Sequence, residues 1–294
     1  MKPYYLTTPI YYVNDKPHIG HAYTTLACDV LARFKRLDGF NVKFLTGTDE
    51  HGQKVQAAAE KAGVSPQEFT DTVSQNFRDL LVVMNFSNDQ FIRTTEPRHY
   101  KSCQAIWKRL MDKGFITLDK YEGWYSVRDE AFFTETELVD GKAPTGAPVS
   151  WVEEPSYFFN LSEWQQPLLD YYEANPDFIA PESKRKEVIS FVSGGLKDLS
   201  VSRTTFDWGV PVPGHPEHIM YVWLDALTNY ITALDWQEQG AEFERFWPAD
   251  LHLVGKDILR FHAVYWPAFL MAADLPLPKR VFAHGWWTNE GQKI

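Results

Sequence analysis

A doubly wound parallel α/β sheet, split by an inserted mixed α/β domain, is the fold class that this sequence predicts. Three observations carry it: a strand–helix–strand unit at the start, the return of that alternation near the end, and a stretch of different character between them.

The run from Tyr4 to Val13 is rich in β-branched and aromatic residues and predicts a buried strand. After the turn residues Asn14-Asp15-Lys16-Pro17, helical spacing holds from about Gly20 to Leu37 and Gly39 closes it. A second strand, Asn41 to Thr46, runs into the polar loop Gly47-Thr48-Asp49-Glu50-His51-Gly52. Ser65-Pro66-Gln67-Glu68 predicts a capped helix start, and Thr95-Glu96-Pro97 opens another helix that Gly114 ends. These two helices read as scaffold. From Phe115 to His218 aromatics, prolines and short turns dominate, with one helical piece near Leu161 to Asn175. From Ile219 the alternation resumes: a helix from Tyr221-Val222 to Leu234, a strand Leu251 to Val254, a helix from Ile258, a strand Arg280 to Ala283, then a hairpin-like Asn289-Glu290-Gly291. The expected division is 1–114 and 219–294 for the two halves of the sheet domain and 115–218 for the insertion.

Composition sets bounds. With 294 residues, 44% hydrophobic and 23% charged, the chain is in the soluble globular range and long enough for a large core. Met1-Lys2-Pro3 leads directly into the first strand with no apolar signal region. The longest apolar run, Ala263 to Ala273, contains Pro267 and is shorter than the roughly 20 residues of a spanning helix. A cytoplasmic protein without a membrane partner is expected. Cys28 and Cys103 stand far apart and supply neither a disulfide framework nor a four-thiolate zinc site. The net charge of −10 argues against nucleic acid covering the whole surface and leaves room for a local basic patch. Lys184-Arg185-Lys186 reads as a solvated charge run before it reads as such a patch.

The string Pro17-His18-Ile19-Gly20-His21 falls between the first strand and the first helix. A helix N-terminus offers unpaired N–H groups and the positive end of a dipole, which suits phosphate. Gly20 leaves room for a nucleotide near the backbone, and His18 and His21, three apart, share a helix face. Taken alone, the string favours phosphate binding over the plainer reading of two polar capping histidines.

The chain's last residues, Asn289-Glu290-Gly291-Gln292-Lys293-Ile294, resemble the start of the Lys-Met-Ser-Lys-Ser loop of class I aminoacyl-tRNA synthetases, which use a Rossmann-type sheet of this kind. Within that class the chain resembles the methionyl-tRNA synthetases. The matching stretches are Thr8-Pro9-Ile10-Tyr11-Tyr12-Val13-Asn14, Thr46 to Gly52, Tyr221-Val222-Trp223-Leu224-Asp225-Ala226-Leu227, Gly255-Lys256-Asp257-Ile258, Phe261-His262-Ala263-Val264-Tyr265-Trp266-Pro267 and His284-Gly285-Trp286. The resemblance implies an ATP-dependent ligase that joins L-methionine to tRNA(Met) through a methionyl-adenylate, with Mg2+ accompanying ATP. It assigns the methionine pocket to Ile10, Tyr12, Asp49, Trp223, Ala226, Leu227, Tyr230, Ile258, Phe261, His262 and Trp266, with Asp49 on the substrate ammonium. It assigns ATP to His18, Gly20, His21, Gly255, Asp257, His284, Gly285 and Trp287, and catalysis to His18, His21 and Lys293. An aromatic slot suits a polarizable thioether. Periodicity alone would make Ile258, Phe261, His262, Tyr265, Trp266 and Phe269 the buried stripe of a packed helix.

Two departures from the family pattern matter. Many relatives hold zinc between two Cys-x-x-Cys turns in the insertion. Here Ser126 and Asp129 stand in the first and Ala143 and Gly146 in the second, a set that cannot make a tetrahedral zinc site. A zinc-less knuckle held by Trp124, Tyr125, Phe132 and Phe133 is expected. The sequence also stops before the rest of the lysine loop and the anticodon-binding helical domain, so a methionine- and ATP-binding fragment with impaired catalysis is the alternative. Small nucleotidyltransferases share the histidine string without the insertion, a cysteinyl enzyme would want zinc, and valyl, leucyl and isoleucyl relatives carry a longer insertion.

Overall fold

The run from Tyr4 to Val13 forms two strands, not one. β1 (Pro3–Thr7) stops and β2 (Tyr11–Tyr12) resumes beyond Pro9, which has no N–H to give to a ladder. Both pair in parallel with the strand that follows the first helix. Thr7 stands opposite Leu45 and Tyr11 opposite Thr48, four steps against three, so one extra residue is accommodated between the two pieces. The structure is a computed structural model that describes residues 1–129, 131–238, 240–289 and 292–293; the side chains of residues 121, 122, 131, 132, 153, 154, 238, 288, 289, 292 and 293 lie outside the description.

Helix α1 (Ile19–Leu37) is capped by His18 and closed at Gly39, whose φ of +81° is in the left-handed region. Then come β3 (Asn41–Asp49), α2 (Gln53–Ala62), α3 (Pro66–Val83), β4 (Gln90–Arg93) and α4 (Pro97–Asp112). Ser65 Oγ accepts from the Glu68 N–H at 3.2 Å, the cap that its position predicts.

The middle segment supplies β5 (Ile116–Ser126), β6 (Ala131–Phe133), β7 (Ser150–Phe159), α5 (Gln165–Ala174), β8 (Ile179–Ala180), α6 (Glu182–Ser193), β9 (Leu199–Ser200), β10 (Ser202–Arg203), β11 (Pro211–Val212) and β12 (His215–Met220). Two antiparallel sheets result, in the orders β6-β5-β7-β9 and β10-β12-β11. β8 belongs to neither. It pairs in parallel with the last strand of the main sheet, so 115–218 is tied into that sheet from within. The turns at Ser126–Asp129 and Ala143–Gly146 are joined by hydrogen bonds: Ser126 Oγ and Thr145 Oγ1 both donate to Asp129 Oδ2, at 2.8 and 2.7 Å, and the Gly146 N–H donates to the Ala143 carbonyl at 2.7 Å. Of the four aromatics expected to hold this knuckle, Trp124 meets Trp151 edge-on at 5.5 Å, Tyr125 is buried, Phe133 is half-buried, and the side chain of Phe132 lies outside the described residues.

The chain then returns through α7 (Val222–Thr232), α8 (Ala241–Phe246), β13 (Leu251–Gly255), α9 (Trp266–Ala272), β14 (Val281–His284), β15 (Thr288–Asn289) and β16 (Gln292–Lys293). Between β13 and α9 lie a 3-10 turn, Lys256–Ile258, and a π turn, Phe261–Tyr265. The main sheet runs β4-β3-β1-β13-β14-β8 with every pair parallel, and β2 prolongs the line of β1. Its faces are both covered. Leu6 and Phe44 pack with Cys28 and Ala32 of α1, and Tyr5, Leu45 and Ile92 pack into the larger cluster under α4, α7 and α9. No helix among the described residues is long and apolar enough to cross a membrane.

β3 and β4 approach closely at Gly47, where a Cβ would overlap the Ile92 carbonyl oxygen and crowd its Cγ2 at 2.7 Å. A backbone oxygen in a ladder cannot swing aside as a side chain can. Gly47→Ala is expected to lose about 1–3 kcal/mol in urea denaturation, the usual cost of overpacking. A variant as stable as the parent would show that this strand contact is loose.

Candidate active site

The carboxyl ends of β1, β3, β13 and β14 open into one cavity of about 300 Å³. It lies where the strand order reverses between β1 and β13, the place that open parallel sheets leave for a ligand. Of the residues singled out above, Ile10, Tyr12, His18, Gly20, His21, Asp49, Trp223, Ala226, Leu227, Tyr230, Gly255, Asp257, Ile258, His262, His284, Gly285 and Trp287 all line it.

Two histidines at its polar end are fixed by the helix cap itself. The Gly20 N–H donates to His18 Nδ1 at 3.0 Å, and the His18 N–H donates to His21 Nδ1 at 3.1 Å. Each ring therefore spends its Nδ1 lone pair on backbone, which puts the proton on Nε2 in both. The rings lie 3.9 Å apart, centroid to centroid. Burial, with a smaller contribution from His18, lowers the His21 pKa to about 4, so at neutral pH it is an uncharged donor. Gly20 acquires a second reason to be glycine: a Cβ there would stand 2.8 Å from His18 Cε1 and push the ring out of its cap.

The other end is apolar. Tyr12, Trp223, Ala226, Leu227, Tyr230 and Ile258 form its walls, with His262 at the back. His262 Nδ1 donates to the Ile258 carbonyl at 2.9 Å, leaving Nε2 to accept from Tyr230 Oη at 2.6 Å. Burial lowers the His262 pKa to about 4, which keeps that arrangement neutral. Asp49 sits in the wall at 3% exposure.

Two predicted residues do not line the cavity. Phe261 stacks flat on Trp223, centroids 3.6 Å apart, and Trp266 is fully buried 6.1 Å from the Tyr230 ring. Both stand one layer behind the wall because the π turn widens the helix there and changes which side chains face inward. Lys293 is on β16, and its side chain lies outside the described residues. Conversely, Pro9, Tyr11, Tyr23, Thr24, Asn229 and Trp286 line the cavity without having been singled out. Thr24 was the most findable, one turn after His21. Its Oγ1 lies 2.8 Å from His284 Nε2 and joins α1 to β14. Trp286 donates through Nε1 to Asp257 Oδ1, and the Lys256 ammonium lies 3.8 Å from its ring centroid.

The chain resembles known proteins over nearly its whole length. The profile of the family "tRNA synthetases class I (M)" matches residues 4–149 and 136–294. The methionine–tRNA ligase of Rickettsia conorii is 68% identical over 99% of this chain and 58% of its own length, and that of Mesorhizobium japonicum 61% identical over 99% and 57%. The chain thus spans a little over half the length of these curated relatives. The Mycobacterium tuberculosis methionyl-tRNA synthetase in complex with methionyl-adenylate superposes over 100% of this chain and 59% of its own, at 58% identity and a TM-score of 0.97. The free form of the Mycobacterium tuberculosis protein superposes over 97% of this chain and 56% of its own, at 55% identity and a TM-score of 0.85.

Burial lowers the pKa of three histidines, His21, His262 and His252, and these set a pH dependence. Across the window between 6.5 and about 4 the unfolded chain binds more protons than the folded one, so stability is fully present above 6.5 and falls as pH drops. Urea midpoints are expected to be lower at about pH 5 than at about pH 7.5, with a shallower decline in His21→Gln. The same decline in that variant would remove His21 from the account.

Proposed function

The chain belongs to the class I (M) family of tRNA synthetases, and from that membership we propose that it activates L-methionine with ATP and passes the methionyl group to tRNA(Met). The observation that carries this reading is one cavity with a thioether-sized aromatic slot at one end, a pair of outward imidazole N–H groups at the other, and a buried carboxylate in its wall. A methionyl-adenylate has that order of parts, and a related protein is known with that compound bound.

In this reading Ile10, Tyr12, Trp223, Ala226, Leu227, Tyr230, Ile258 and His262 surround the methionine side chain, with Phe261 and Trp266 supporting them from behind. Aromatic contacts favour sulfur over an isosteric methylene, and the Tyr230–His262 pair adds weak polar contact. Asp49 takes the ammonium. Gly20, Gly255, Asp257, His284, Gly285 and Trp287 surround the adenosine, and Mg2+ arrives as part of the MgATP substrate. The methionine carboxylate attacks the α-phosphorus in line, and pyrophosphate leaves. No protein nucleophile is needed, so catalysis rests on positioning and on charge stabilisation. The Nε2–H groups of His18 and His21 point donors at the phosphates without reorganising, and Lys293 would add charge from its loop. The acceptor, tRNA(Met), and a place in the cytoplasm belong to the same proposal.

Calorimetric titration with methionine, leucine, isoleucine and cysteine tests the slot. Binding selective for methionine and lost in Asp49→Ala is expected, and equal binding of leucine would reject the assignment. In ATP–pyrophosphate exchange, His21→Ala should lower kcat on the order of a hundredfold with little change in methionine KM, as for a donor that strengthens in the transition state. A change confined to KM would contradict that role.

A further inference from the structure

Behind the cavity wall lies a buried polar bracket. Asp225 is on α7 and fully buried. Trp223, Ala226, Leu227 and Tyr230 line the cavity from the opposite face of that helix. The carboxylate receives an imidazole hydrogen bond on each oxygen, from His51 Nδ1 to Oδ2 at 2.6 Å and from His99 Nε2 to Oδ1 at 2.7 Å, and the Cys103 thiol donates a longer one to Oδ1 at 3.7 Å. A carboxylate only accepts, so both ring nitrogens carry the proton. Burial raises the Asp225 pKa, but the attraction and hydrogen bonds of the two imidazoles overcome it and hold the group ionised. His99 Cys103 Asp225 resembles a metal donor set. Its 2.7 Å Nε2–Oδ1 contact is already a direct hydrogen bond, and burial keeps the Cys103 thiol protonated.

His51 is two residues beyond Asp49 at the end of β3. Its Nε2 meets Tyr100 Oη at 3.0 Å, and its ring packs edge-on against Trp208. The residue between them is held as firmly. Glu50 accepts from Arg93 Nε and Nη2 at 2.7 and 2.9 Å and from the hydroxyls of Thr48 and Thr95, each at 2.6 Å. The Trp208 indole N–H donates to the Glu50 carbonyl at 2.6 Å. Asp225 is thus a direct link between the strand end that presents Asp49 and the helix that presents the aromatic slot.

We propose that Asp225 is a positioning residue for substrate ammonium: through His51 it fixes the offset between the Asp49 carboxylate and the thioether slot, without touching substrate itself. This rests on the methionine reading above. The carboxylate is required, not merely a polar group of its size. An amide at 225 would present an NH2 to one of two imidazole N–H groups, and relief would require a tautomer change or movement of the strand end.

The test compares methionine with 4-(methylthio)butanoate, which keeps the thioether and carboxylate and lacks the ammonium, by calorimetry on the chain and on Asp225→Asn. Methionine binding is expected to weaken about tenfold in the variant, with the desamino ligand changed less than about twofold, since only the ammonium contact depends on the bracket. Equal weakening of both ligands would mean a general loss of pocket structure and would overturn the proposal, as would no weakening of either. Should Asp225→Asn not fold, as judged by circular dichroism, His51→Gln carries the same comparison, because it cuts the bracket on the β3 side alone. If the parent chain binds neither ligand, the methionine reading fails and the proposal falls with it. If the parent binds methionine and the two ligands respond alike in the variant, the reading stands and only the role of Asp225 is rejected.

Discussion

Tyr5 and Leu6 are neighbours on one strand, face opposite sides of the sheet, and are both wholly buried. That double burial is the constraint from which the rest follows. A parallel sheet covered on both faces keeps its side chains for packing and leaves chemistry only its edge, where strands end and loops begin. Asp49, Gly255 and His284 are the last residues of their strands, and Pro9 follows just beyond β1. The interruption of the first strand serves the same edge. The extra residue at positions 8 to 10 lets Tyr11 and Tyr12 continue along β3 as far as Asp49, which places aromatic wall and carboxylate side by side.

Polar groups close to this edge hold one another before any ligand arrives. His18 and His21 cap the helix and each other, Tyr230 donates to His262, and Thr24 meets His284. Each contact fixes an orientation that an isolated side chain would have to give up rotamer entropy to reach on binding. Asp225, His51 and Glu50 do the same one layer deeper, with fuller burial and more hydrogen bonds per group.

The main elements were legible because their signals are local: helical spacing to Leu37 with Gly39 after it, Ser65 before Pro66, a helix after Tyr221. The resumption expected at Ile219 falls instead inside β12, a strand of an antiparallel sheet. What escaped is tertiary. Pro9 was in view, but only pairing with β3 shows that it splits a strand and does not merely decorate one. Ile179-Ala180 is too short to announce a strand, and joins the main sheet because β14 offers it an unpaired edge. At the site, motif residues next to a strand end were placed at the cavity. Phe261 and Trp266 were not, because a π turn alters the angular offset that three-and-four spacing assumes. Asp225 and His99 carry no sequence pattern at all that joins them, being 126 residues apart.

The cap of α1 bears on how the site meets its surroundings. An imidazole kept neutral by burial attracts an anion as a dipole, through one N–H, and that attraction dies away within a few ångströms. Dissolved ions screen charges over distances near the Debye length of about 8 Å at physiological ionic strength, and they have little purchase on a contact so short. In the proposed function, what His21 adds to holding phosphate is therefore nearly indifferent to salt. It cannot draw a nucleotide in from a distance either: what steers the ligand toward the cavity must come from charged side chains elsewhere, on a molecule whose own net charge of −10 opposes the approach of an anion.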